Sequence, residues 1–108
     1  MQPPNEAARD GDAEVQAQLG QMHYTGDGVS QDFLGSAKWY RQAAEQGDPL
    51  AQLSLARMYE FGHGVPQDYT KAVTWYRKSA KHGDTLVQRY LAMMYERGKG
   101  VPGTMRKQ

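Results

Sequence analysis

The chain has 108 residues, enough for one small domain, with 13 basic against 12 acidic residues and a net charge of +1. That balance argues against a partner recruited by bulk charge, whether nucleic acid or an anionic membrane surface. The absence of cysteine excludes a disulfide framework, a thiolate metal site and a cysteine nucleophile.

Residues 1–5 carry paired prolines and no apolar leader, so they are expected to form an unstructured lead-in that leaves the compartment open. No later apolar run approaches the ~20 residues of a membrane-spanning helix. Ala7, Ala8 and Gly11 stand 36 residues before Ala43, Ala44 and Gly47, so the chain is expected to open on the last turn of a unit. From there the period holds. Residues 12–47 and 48–83 agree at 14 of 36 positions, and 84–102 agree with the start of the second unit at 12 of 19. Self-similarity at such a period marks a stacked array, in which each unit buries its apolar face on its neighbours. We therefore read one domain over 1–108: repeat one at 12–47, repeat two at 48–83, a partial repeat three at 84–102, and tails at 1–11 and 103–108.

Each unit opens on an aspartate, a favoured helix cap: Asp12, Asp48 and Asp84. An apolar stripe at helical spacing follows. It is Val15, Leu19 and Met22, then Ala51, Leu55, Met58 and Tyr59, then Val87, Leu91, Met94 and Tyr95. Gly20, Ala56 and Ala92 are small in all three units, as a close helix–helix contact requires. Each first helix ends in Gly-x-Gly-Val, at Gly26, Gly62 and Gly98, where glycine permits a left-handed cap and a sharp reversal. Asp32 and Asp68 then cap a second helix. Its buried stripe is Phe33, Ser36, Ala37, Tyr40, Ala43 and Ala44 in repeat one, and Tyr69, Ala72, Val73, Tyr76 and Ala80 in repeat two. Trp39 and Trp75 flank it and are expected to be half-buried. The pattern predicts an all-α fold of five helices in antiparallel pairs, without strands.

Leu55-Ala56-x-x-Tyr59-x-x-Gly62-x-Gly64-Val65, followed by Asp68, Lys71-Ala72, Trp75-Tyr76, Ser79-Ala80 and Gly83, resembles the Sel-one-like repeat, a relative of the tetratricopeptide repeat. Leu19-Gly20, Trp39-Tyr40 and Ala43-Ala44 match it again. Departures are His23 in the tyrosine slot, Gly35-Ser36 for Lys-Ala, Ser79 for the first alanine, and Thr104 in the aspartate slot of repeat three. The resemblance implies a right-handed α-solenoid whose first helices line a concave face and which serves as a protein-interaction scaffold. Some relatives are credited with binding β-lactams. They are stapled by cysteine pairs that this chain lacks, so small-molecule binding or hydrolysis is the alternative rather than the main expectation. A structural fragment of a longer array is a further one.

Signals for catalysis or a cofactor are weak. His23, His63 and His82 occupy unrelated repeat positions with no metal-ligand spacing, and the Gly-x-Gly pairs follow helices rather than opening them as a phosphate loop does. No catalytic residue, metal or cofactor is expected. On the first helices the outward stripe lies 2, 5, 9, 12 and 13 residues after the opening aspartate. It begins Glu14, Ala17, Gln21 and Tyr24, and continues through Leu50, Leu53, Arg57, Glu60 and Phe61 to Leu86, Arg89, Met93, Glu96 and Arg97. Among these, Tyr24, Leu53, Arg57, Glu60, Phe61, Arg89, Met93 and Glu96 are the candidate partner-binding set, with Arg57 and Arg89 placed to bracket an acidic segment. Packing between repeats is the other reading of part of this stripe. At the C-terminal end no second helix follows to cover Leu91, Met94, Tyr95 and Val101, which predicts a homodimer or helix exchange through that stripe.

Overall fold

The computed structural model describes residues 11–98, which form five helices. They are α1 (Ala13–Thr25), α2 (Phe33–Glu45), α3 (Pro49–Phe61), α4 (Tyr69–Ala80) and α5 (Thr85–Arg97), with no strand among the described residues. The expectations for residues 1–10, for Val101 and for the C-terminal tail lie outside them.

The repeat is built from the same local devices each time. Asp12, Asp32, Asp48 and Asp68 each accept a bond at the carboxylate from the backbone N–H three residues on, and Asp84 does so from Leu86. Each satisfies an amide that the first turn leaves without a helical partner. Gly26, Gly62 and Gly98 close α1, α3 and α5 in the left-handed conformation. The hairpins are then tied shut. The backbone N–H of Asp32 donates to the His23 carbonyl at 2.7 Å, and that of Asp68 to Tyr59 at 2.9 Å. Gln31 and Gln67, at one repeat position, donate side-chain N–H groups to the carbonyls of Tyr24 and Glu60.

The hairpins α1–α2 and α3–α4 stack in sequence: α2 packs on α3, α4 on α5, and α1 touches α3. Small residues allow this. Ala43, Ala51, Ala56 and Ala72 are fully buried. Gly20 lies under the Tyr40 ring, which would stand 2.8 Å from any Cβ there, tighter than real contacts allow. Its carbonyl accepts from the buried Ser36 hydroxyl at 2.6 Å, which gives the serine departure of repeat one a partner on α1. Around these sit the large core residues Leu55, Met58, Tyr76 and Val87. Full burial of one such aliphatic side chain contributes roughly 1.5–3 kcal/mol.

Two polar staples repeat between units. Arg41 on α2 donates to the Tyr59 hydroxyl of α3 at 2.7 Å, and Arg77 on α4 donates to the Tyr95 hydroxyl of α5.

Four expectations need correction. Ala17 belongs to the core rather than the outward stripe, at 1% exposure. Its position borders the core, where a methyl is closed over while Leu53, one unit on, emerges half-buried. Ser79, left off the stripe of α4, is buried, its hydroxyl donating to the Pro49 carbonyl. The stripe expected to be bare on α5 is largely covered: Met94 is buried, Leu91 and Tyr95 are half-buried, and Tyr95 is held by Arg77. A first helix is covered by the preceding second helix as well as by its own partner, and α4 already supplies that half. Ala92 departs from the close contact expected of it, being exposed where Gly20 and Ala56 are buried.

Candidate functional site

The site lies where successive first helices meet. Each second helix sends one buried tyrosine there: Tyr40 from α2 into the gap between α1 and α3, and Tyr76 from α4 towards α3 and α5. The two are equivalent, yet their surroundings differ.

Beside Tyr40 the gap is open. Tyr24, Tyr40, Ser54, Arg57 and Met58 line a cavity of about 100 Å3. Burial pushes the Tyr40 phenol above its ordinary range, and the Ser54 hydroxyl bonded to it works in the other direction. Tyr24 is fixed from outside the cavity. Its hydroxyl and His63 Nδ1 are hydrogen-bonded at 2.8 Å, and its ring lies 4.9 Å from that of Phe33. His63 in turn stacks on Phe33, with centroids 4.8 Å apart and planes within 9°. The imidazole in the second hairpin is thus a wedge that sets Tyr24. Among the described residues no group of three or more His, Asp or Glu is arranged to hold an ion.

Beside Tyr76 stand a carboxylate and a second ring. Its hydroxyl donates to Glu60 Oε1 at 2.7 Å, and its ring lies 5.9 Å from that of Tyr90. Burial first, and the Glu60 bond second, hold the Tyr76 phenol far above its ordinary range. Arg57 stands between the two gaps, its guanidinium carbon 5.8 Å from the Tyr90 centroid. That geometry is a cation–π contact.

Of the expected partner-binding residues, Tyr24 and Arg57 come together at the cavity, 33 positions apart in the chain. Glu60 is half-buried and engaged by Tyr76. Leu53 is half-buried against the core. Phe61 and Met93 are exposed, at 54% and 37%, and Arg89 and Glu96 are exposed on α5. Sequence reasoning missed Ser54, Tyr90 and Tyr40 as site residues. The first two share one repeat position, six residues after the opening aspartate, just outside the stripe considered. Tyr40 was placed correctly in the core, but its hydroxyl end reaches the far side.

The Sel1 repeat model matches residues 13–48, 49–84 and 86–103. The chain belongs to the Sel1 repeat family. Two solved structures share its fold. One is a protective antigen present in uropathogenic Escherichia coli strains, displaying an SLR fold, at 42% identity and a TM-score of 0.88. The other is a Sel1 repeat protein from Oxalobacter formigenes, at 35% identity and a TM-score of 0.87. Each similarity covers 91% of this chain, which spans 21% of the first protein and 40% of the second. No curated protein matches the sequence. The fold is therefore an all-helical Sel1 repeat solenoid. Among the described residues no helix is long and apolar enough to cross a membrane.

Proposed function

We propose that this Sel1 repeat chain is a non-enzymatic scaffold that holds a peptide or protein segment along the face made by α1, α3 and α5. The observation that carries the reading is the character of that face. Leu50, Phe61, Leu86 and Met93 stand exposed on α3 and α5, interleaved with the exposed Arg57 and Arg89. Exposed apolar side chains on adjacent helices, mixed with arginine, have the composition of an interface rather than of a solvated face. Tyr24, Leu53, Glu60 and Glu96 complete the proposed contact set. No cofactor or metal enters the reading.

The test is a library of short immobilised peptides probed with the wild-type chain and with the double variant Arg57→Glu/Arg89→Glu. The expected result is retention of acidic peptides with apolar neighbours, lost in the double variant, with a nearly unchanged melting temperature. Exposed charges contribute little to stability, so a separation of the two effects is expected. Equal retention by both proteins would remove this face from the reading.

A further inference from the structure

We infer that the cavity between α1 and α3 is a binding pocket for a carboxylate. The inference rests on the scaffold reading above for the source of that group, since the pocket opens on the same face. It does not rest on that reading for the chemistry.

The chemistry comes from comparing the two equivalent gaps. In the second, the buried tyrosine of the second helix already has a carboxylate: the Tyr76 hydroxyl donates to Glu60 at 2.7 Å. In the first, Tyr40 stands in the place of Tyr76, and Tyr24 in the place of Glu60. The cavity lining there contains no carboxylate. Two more exchanges follow the same logic. Ser54 replaces Tyr90, which removes a ring and leaves room. Arg57 replaces Met93, which adds a cation at the rim. The first gap therefore has the donor and the space, has gained a positive charge, and lacks only the acid.

The donors are available. The Ser54 and Tyr40 hydroxyls both line the cavity, and each carries one proton to donate. The Arg57 guanidinium carries five N–H donors in a planar fork that fits a carboxylate. Its carbon lies 5.8 Å from the Tyr90 centroid, and among the described residues no carboxylate pairs with it. Tyr24 is braced by His63 and Phe33, so the wall opposite is in place before anything binds. A cavity of about 100 Å3 is several times the ~10–15 Å3 of probe-occupied volume that one water needs. It admits a carboxylate with its methylene. An aspartate or glutamate side chain of the bound segment supplies that group, and a free small carboxylate would satisfy the same contacts.

The test titrates the isotope-labelled full chain with N-acetyl-aspartate N-methylamide and, separately, with the asparagine analogue, following backbone amides and the Arg57 Nε–H by NMR. The acid is expected to shift Ser54 and Arg57 saturably, and the amide to bind about tenfold more weakly or worse. Ser54→Tyr, which installs the residue of the next unit, is expected to abolish the response. Arg57→Gln, at an exposed site, is expected to reduce it to the level of the amide even if Ser54→Tyr misfolds. Equal response to acid and amide, or no saturable shift at these residues, overturns the pocket. Peptides retained by the scaffold assay but indifferent to both substitutions would also overturn the pocket, while leaving the scaffold reading intact. Saturable binding of the free acid without any added affinity from a peptide would establish the pocket and remove the scaffold reading.

Discussion

At the scale of the residue, the hairpin glycines are not interchangeable. Gly28 and Gly64 share a repeat position and a left-handed φ, of +80° and +74°. Any side chain pays roughly 1–2 kcal/mol there. Only Gly64 also presses on a neighbouring unit, for a methyl would run into the Phe33 carbonyl at the start of α2. Gly64→Ala is expected to lower the denaturation midpoint clearly more than Gly28→Ala, and equal losses would show that the hairpin does not set the stacking. The tyrosines carry a second prediction. Burial, reinforced by Glu60, holds Tyr76 protonated beyond its ordinary value of 10.0. In the unfolded chain the phenol ionises near that value. Its contribution to stability is thus complete below pH ~10 and is lost progressively as pH rises from there towards the folded value. The melting temperature is expected to fall steeply on the alkaline side in the wild type and less steeply in Tyr76→Phe. Parallel curves for the two proteins would assign the loss elsewhere.

At the scale of the element, the phase of α4 can be tested by two adjacent aromatics. Tyr76 is fully buried, bonded to Glu60 and packed near Tyr90, whereas Trp75 is half-buried beneath the Lys78 ammonium, 4.4 Å from its ring. Tyr76→Ala is expected to cost about 3–5 kcal/mol, in the range for a buried aromatic, and Trp75→Ala distinctly less. Urea denaturation of both variants ranks them, and the reverse order would place the helix one residue out of phase. The helices themselves were legible in the sequence because their signals are local. An aspartate caps the next three residues and a glycine ends the turn it sits in, so Asp12, Asp32, Asp48, Asp68 and Asp84 announced every start. The Arg41–Tyr59 and Arg77–Tyr95 staples were not legible. They join different helices across 18 positions, and only their recurrence at one repeat period connects them.

At the scale of the molecule, the last helix differs from its counterparts. Leu91 is half-buried where Leu19 and Leu55 are buried, and Ala92 is open where Gly20 and Ala56 are buried. The exposed area is narrower than expected, because α4 covers Met94 and Arg77 engages Tyr95. It is still the face that two earlier first helices bury on a second helix. Self-association through α5 is the expected outcome, seen as a mass that rises with concentration in sedimentation equilibrium and falls back in Leu91→Glu. A single mass at all concentrations, with the variant equally stable, would leave α5 without this role.

The sequence by itself determined the repeat length, the five helices, their caps and hairpins, and most of the core, since these follow from spacing and from contacts a few residues apart. It also marked Tyr24 and Arg57 as outward-facing. What only the tertiary structure decided is which outward positions meet. Tyr24 reaches its place because His63, far along the chain, wedges against Phe33. Glu60, one repeat after Tyr24, is consumed by Tyr76, while Ser54, one repeat before Tyr90, leaves a cavity. A repeat pattern records what the units share. A site arises where they differ, and the consequence of a difference depends on which side chains the stacking brings together.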